Sequence, residues 1–207
     1  LFWGIYEQSG GSLSIFAAKN LNDSLLGVTI DPNGVNNSAG AFYIIALAPL
    51  LGLLWLWLGK RKAEPNTIIK FGLGFIFLGL GYYVLFATRF FAVDGVSSLN
   101  VFSIALLVIT FGELCLSPIG LSIMTKLSPA RLQGIMMGMW FLASAYGQYV
   151  AGIIGANLAE AREGAPAAES LITYTDGYKS LGIYALIAGV VLILISPWLK
   201  KLMQGVK

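Results

Sequence analysis

A chain of 207 residues that is 57% hydrophobic and only 11% charged, with a mean hydropathy of +0.78, has too little polar surface for a water-soluble domain and is an integral membrane protein. Histidine is absent, which removes the commonest proton shuttle and metal ligand, so any proton chemistry must rest on carboxylates. The net charge of +3 says little by its sign, and the lone Cys115, inside an apolar run, is a small packing residue with no internal disulfide partner.

Apolar runs of about 20 residues, the length that crosses ~30 Å of hydrocarbon, fall near Phe2–Ala18, Ala41–Leu58, Ile68–Ala87, Val101–Thr125, Ile135–Leu158 and Leu181–Leu199. Six membrane-spanning helices are predicted. The first run starts at Leu1 with no polar segment ahead of it, the pattern of a helix cut near its start, so a fragment or processed half without a signal peptide is expected. Lys60, Arg61 and Lys62 follow the second span, Lys126 and Arg131 separate the fourth and fifth, and Lys200, Lys201 and Lys207 end the chain. The opposite side carries Asp23, Asp31, Asp94, Glu160, Glu163, Glu169 and Asp176, against Lys19, Arg89, Arg162 and Lys179. Clustered Lys and Arg mark the cytoplasmic face, which places both chain ends in the cytoplasm. The two long connections, Asn20–Gly40 and Glu160–Gly177, read as external loops; Asn33, Asn36, Asn37 and Ser38 fit a turn-rich loop at least as well as a binding role. On the cytoplasmic side Pro65 blocks helix continuation, Asn66 is placed to cap the third span, and Ser128 before Pro129 is placed to cap the fifth.

Within the first span lie Trp3, Tyr6, Glu7 and Gln8, followed by Gly10, Gly11 and Ser14. Tyr6 and Glu7 are adjacent and diverge by roughly 100° around a helix, whereas Trp3 and Glu7 share a face. Glu7 is either a second intramembrane carboxylate or a solvated acid in an interfacial Trp–Tyr belt. Pro49 is expected to bend the second span.

The fourth span holds the most informative residue. Glu113 lies in TFGELCLSPIGL, 13 residues or about 20 Å before Lys126, deep in the hydrocarbon. An ionisable carboxyl there costs roughly 2.5–3.5 kcal/mol on insertion scales and normally faces an interior or a watery pathway. It either binds a cationic group or proton, or pairs structurally with a basic residue on another helix. Ser117 shares its face, and Pro118 with Gly112 and Gly120 suggests a flexible joint. In the fifth span Gly134 and Gly138 form a GxxxG pair, with Gly147, Gly152 and Gly155 beyond it, a close-packing signal. Trp140, nine residues past Arg131, is too deep for an interfacial belt and suits either the wall of a polar pocket or core filling. No phosphate-cradling loop, metal site, nucleophile with its base or nucleic-acid surface is visible, so the chain reads as a non-enzyme with no cofactor and no catalytic residues.

The segments FWGIYEQSGGS (Phe2–Ser12), the Pro49 helix with LWLWLGKR, KFGLG (Lys70–Gly74), TFGELCLSPIGLSIMTKLSPAR and MMGMWFLASAYGQYVAG resemble the proton-dependent oligopeptide transporters of the major facilitator superfamily. The resemblance runs in family order over nearly the whole chain and is sharpest around Glu113. It implies an all-α membrane protein in which residues 1–207 form the carboxy-terminal six-helix half, helices seven to twelve of a twelve-helix transporter of bacterial inner-membrane type, the amino-terminal half being absent. It implies proton-coupled symport of di- and tripeptides by alternating access, with protons as the coupling ion, the bilayer and the missing half as partners, and no nucleic acid. Carried over by position, Glu113 meets the peptide amino terminus and pairs with a lysine of the other half. Ser117, Trp140, Trp3 and, more loosely, Tyr6 line the pocket, and Glu7 joins an external gate. Gly40 stands where the family usually has a peptide-binding asparagine, which leaves Asn37 one turn earlier as the candidate substitute. Two other readings stand beside this one: a major facilitator transporter for another small solute, and a non-transporting membrane scaffold or accessory subunit whose carboxylates only pair helices.

Overall fold

The computed structural model describes residues 1–160 and 166–202. Among these are seven α-helices: α1 (Phe2–Tyr6), α2 (Ser12–Asn20), α3 (Pro32–Lys60), α4 (Thr67–Ala87), α5 (Leu99–Lys126), α6 (Gln133–Glu160) and α7 (Ala167–Leu202). A small antiparallel hairpin, β1 (Ser24–Leu25) with β2 (Val28–Thr29), sits between α2 and α3. The helices α3, α4 with its short 3-10 extension, α5 and α7 are each long and apolar enough to cross a membrane. The other two expected spans differ for visible reasons. The first is broken into helices of 5 and 9 residues, and α6, though 28 residues long, carries Ser144, Tyr146, Gln148 and Tyr149 along its middle.

Two connections expected as external loops are largely structured. The Asn20–Gly40 segment folds into the hairpin and then enters α3 at Pro32, because Asp31 accepts the Gly34 N–H at 2.7 Å and proline suits the first helical turn. Asn33, Asn36, Asn37 and Ser38 are therefore helical. The Glu160–Gly177 connection ends at Ala167, where α7 begins; Arg162 and Glu163 lie outside the described residues, as does Lys207. On the other side Asn66 caps α4 through the Ile69 N–H at 3.0 Å and also bonds Ser196 of α7. Ser128 does not cap the following helix; its hydroxyl donates back to the Met124 carbonyl, closing the end of α5.

Helix α4 is clamped between α5 and α7 by four glycines. Gly72 and Gly79 are seven residues apart, as are Gly74 and Gly81, and the two pairs are offset by two residues, about 200° around the helix. A Cβ at Gly72 or Gly79 would lie 3.0 or 2.9 Å from the carbonyl oxygens of Gly189 or Gly182 of α7. One at Gly74 would lie 2.9 Å from the Gly112 carbonyl of α5. Small residues let the backbones approach this closely, which is what holds helices together where lipid provides no hydrophobic drive. Helix α3 lies beside α5 in parallel register, with Tyr43 and Ser103 hydroxyls 2.5 Å apart and Leu51 packed on Leu114 and Cys115.

The core at the end where α2 meets the hairpin and α4 leads into α5 is aromatic: Phe16 of α2 packs edge-on against Tyr178, with Phe102, Tyr174 and Tyr82 around it. Buried Asn20 ties this end together. Its amide donates to the Gly95 and Ala167 carbonyls at 2.9 and 2.8 Å, and its oxygen accepts from Ser170. The GxxxG glycines Gly134 and Gly138 meet nothing within 4 Å, and neither does Gly152; the close contacts of α6 are made elsewhere along it.

Candidate functional site: an acidic and aromatic face around a broken helix

The break in the first span organises the site. Glu7–Gly10 forms a 3-10 turn after α1, and Gly11 adopts φ −120°, ψ −114°, a conformation outside the helical region. The sequence Ser9-Gly10-Gly11 is poor in helix formers, which makes this the weak point of the run. The polar groups released there are satisfied from neighbours. Fully buried Gln8 donates to the Gly4 carbonyl at 3.2 Å and to the Ala151 carbonyl of α6 at 3.3 Å, and accepts from Ser12 at 2.7 Å. Buried Tyr82 of α4 donates to the Ile5 carbonyl at 2.5 Å.

Helix α6 seats the break with a stripe of small residues spaced by four. Gly147 lies under Trp3, where a Cβ would overlap the Trp3 side chain; Ala151 is buried at Gln8; a Cβ at Gly155 would come 3.1 Å from the Ser12 nitrogen. Residues at this spacing share one helix face. The packing stripe is thus Gly147, Ala151 and Gly155.

Tyr6 and Glu7 diverge as their adjacency requires. The Tyr6 hydroxyl donates to the Glu113 carboxylate in the middle of α5, and the Glu7 carboxylate accepts from Ser144 of α6 at 3.4 Å. Trp3 stands edge-to-face with both Tyr6 and Trp140, at ring-centroid distances of 5.6 and 6.2 Å. The Trp140 indole, 9% exposed, rests directly on Gly120 of α5, where a Cβ would overlap its six-membered ring, and meets Phe71 edge-on. Trp3, Tyr6, Glu7, Glu113 and Ser117 are each half-buried, as is Ser144 of α6, so they form an accessible face across α1, the turn after it, α5 and α6.

Five of the sequence candidates are thereby brought together: Trp3, Tyr6, Glu113, Trp140 and, one turn along α5, Ser117. Asn37 is not among them. It is exposed near the start of α3, while its neighbour Asn36 turns inward to the Ser9 carbonyl at 2.9 Å. Gly112 and Gly120 serve close approach, the first under the α4 backbone and the second under Trp140; Pro118 is exposed, between half-buried neighbours, and α5 runs on through it. Gln8 lay in the FWGIYEQSGGS segment without a role assigned to it, and Tyr82, which also bonds the backbone at the break, stood out from no motif. A tyrosine inside an apolar helix is the kind of residue whose hydroxyl needs a buried partner, and that was the available signal for Tyr82.

Among the described residues no group of His, Cys, Asp and Glu is arranged to hold a metal ion. What the face offers is one central carboxylate with a phenolic donor, a second carboxylate beside it, and apolar rings. Such a surface can bind a cationic group through charge-assisted hydrogen bonds and cover its apolar flank.

The comparisons with known proteins agree with this architecture. The chain is 33% identical over 207 residues to the peptide transporter YePEPT of Yersinia enterocolitica, covering 99% of this chain and 39% of that one. It is 34% identical over 216 residues to the di-/tripeptide transporter of Lactococcus lactis, covering 100% and 40%. Among solved structures it superposes on a crystal structure of the peptide transporter POT in complex with sulfate with a TM-score of 0.79, at 32% identity, over 99% of this chain and 39% of that one. A POT family transporter in complex with 5-aminolevulinic acid matches with a TM-score of 0.77 and 28% identity, over 95% and 38%. The chain therefore spans about two fifths of the length of the curated relatives it matches. The sequence model PTR2, POT family, matches residues 1–171, and the chain accordingly belongs to the POT family, multi-pass membrane transporters rather than enzymes.

Proposed function

We propose that this chain is the carboxy-terminal six-helix half of a bacterial proton-coupled di- and tripeptide symporter, with α1 and α2 together counting as one broken span. The basic ends of α3, α5 and α7 then lie in the cytoplasm of an inner-membrane protein, and the accessible α1–α5–α6 face looks across a central cavity at the other half. Glu113 is the group that meets the peptide ammonium. Trp3, Tyr6, Ser117 and Trp140 form the wall around it, and Glu7 contributes to closing the outer side.

The observation that carries this reading is the mid-helix Glu113 carboxylate, held by Tyr6 and flanked by the Trp3–Trp140 pair. A carboxylate in this position exists either neutral, with a proton, or ionised beside a cation, so a gate that changes its neighbours links proton movement to cargo binding. The Tyr6 hydroxyl supplies one donor; an ammonium brings three more. Alternating access requires the face to move against the other half, and Pro118 gives α5 a place to flex between its two seated contacts at Gly112 and Gly120. Asn37 stays at the periphery of this scheme.

Counterflow in proteoliposomes, using the full polypeptide that carries this sequence, tests the substrate class. Labelled dialanine is expected to accumulate against unlabelled di- and tripeptides and to be indifferent to free amino acids, sugars and nitrate. Exchange driven by one of those solutes and not by peptides would assign a different cargo, and no exchange of any of them would favour a scaffold.

A further inference from the structure

A second polar feature lies away from the acidic face. Where the ends of α3, α4, α5 and α7 converge there is a crevice of about 900 Å³. Its cations are Lys62, Lys70, Lys126 and Lys200, and its acid is Glu64. Lys70 and Glu64 pair with each other at 2.5 Å, with Lys70 also 4.6 Å above the Trp55 ring. Lys62, Lys126 and Lys200 have no ion-pair partner among the described residues, so the crevice keeps a net positive charge. The first turn of α4, a 21-residue helix, opens into it beside them at Asn66 and Thr67.

The position of this crevice on α5 separates it from the transport face. Pro118, Ile119, Ser122, Ile123 and Lys126 line it, and at 100° per residue their mean direction is roughly opposite that of Glu113, Ser117 and Gly120. It therefore opens toward the outside of the bundle. It also has a depth profile: from Lys126 back to Pro118 is eight residues, about 12 Å along the helix. The mouth is cationic and the floor, with Ile69, Ile119 and Ile123, is apolar.

Lys62 adds an independent point. It has φ +54° at the end of α3, where Ala63 N–H reaches the Leu58 carbonyl and Lys62 N–H the Gly59 carbonyl, both at 3.0 Å. This left-handed position is normally occupied by glycine, and a lysine there is held against its backbone preference at the mouth of the crevice.

The geometry points to a binding site for the phosphate-bearing headgroup of an anionic bilayer lipid in this crevice, the phosphate among Lys62, Lys126, Lys200 and the α4 amino end, and the acyl attachment over the isoleucine floor. The inference rests on the proposed orientation, with this end at the cytoplasmic headgroups, but not on any substrate or on transport.

Native mass spectrometry of the full polypeptide released from nanodiscs of mixed phosphatidylcholine and phosphatidylglycerol tests it. Wild-type protein is expected to retain phosphatidylglycerol selectively, and Lys126→Gln and Lys200→Gln each to weaken retention about five-fold. Lys62→Gly is the sharper variant: the same loss of retention with an unchanged or raised melting temperature, because glycine suits that backbone. Arg131→Gln, a cation on the same side but outside the crevice, is expected to leave retention unchanged. Equal losses from Arg131→Gln would overturn the site in favour of general surface charge. Stabilisation by inorganic phosphate as large as that by phosphatidylglycerol would overturn the lipid assignment, and so would phosphatidylglycerol retention unaffected by all three lysine variants.

Discussion

The α4–α5–α7 side of the bundle and the α1–α6 side are both assembled on glycine, and they differ in what the glycines hold. On the first, glycines on two faces of α4 press unbroken helices backbone to backbone, and 56% and 61% of the apolar stretches of α4 and α5 are buried within the chain. On the second, Gly147 and Gly155 make room for a helix that stops and restarts: Trp3 lies over Gly147, Gln8 bonds the Ala151 carbonyl, and Gly11 and Ser12 lie over Gly155. There the outward residues Phe141, Tyr146 and Tyr149 of α6 remain 60%, 66% and 69% exposed. One side is a fixed frame. The other is an irregular, half-covered surface whose polar atoms are satisfied one by one, which is where discontinuous membrane helices build binding sites.

Variants that exchange these properties test the contrast, and Gly112→Ala has the largest expected effect. Its methyl would lie 2.6 Å from the Gly74 carbonyl and 2.9 Å from the Leu78 nitrogen, backbone atoms on a clamped helix that have nowhere to go. The cost is expected at or above the top of the ~1–3 kcal/mol range for overpacking, read as a collapse of the thermal transition or loss of monodisperse protein. Gly120→Ala meets the far end of the Trp140 indole instead, a side chain of the face that can shift, so about 1–2 kcal/mol is expected, together with a change in Trp fluorescence as the indole moves. A cost for Gly120→Ala equal to that for Gly112→Ala would erase the distinction between frame and face.

Tyr82→Phe is next. It leaves the Ile5 carbonyl at the helix break without its buried donor and is expected to lower stability by about 1–2 kcal/mol, with faster amide exchange around residues 5–11 than elsewhere. The smallest effect is expected from Gly134→Ala and Gly138→Ala, within about 0.5 kcal/mol in thermal unfolding, because a Cβ at either meets nothing within 4 Å. A loss above 1 kcal/mol there would show that another part of the transporter covers that stretch of α6.

How much of this was legible in the sequence depends on how local the cause is. The Asn66 cap and the course of α4 and α5 followed from nearby residues and apolar length. The α3 start also had a local signal, Asp31 followed by Pro32, but Asn33, Asn36 and Asn37 pulled the reading toward a turn; an aspartate cap and a first-turn proline outweigh weak helix formers. The small-residue series of α6 was legible but not which of its members pack within the chain, because spacing says which residues share a face and not which face finds a partner; Gly147 and Gly155, with Ala151 between them, have the contacts, and Gly134, Gly138 and Gly152 meet nothing within 4 Å. Glu113 announced itself by its cost in hydrocarbon. Its Tyr6 partner is 107 residues away, and nothing in either segment specifies that the break at Gly10–Gly11 turns Tyr6 toward α5.

The most direct test of the proposed transport mechanism is proton-driven uptake of a labelled dipeptide by the full polypeptide carrying Glu113→Gln, compared with wild type across a pH gradient. Glutamine keeps the size and can still accept from Tyr6 but carries no charge for an ammonium, so uptake efficiency is expected to fall by about 30-fold or more, with loss of proton dependence. Uptake at the wild-type rate, with its proton dependence intact, would contradict the placement of cargo at this carboxylate.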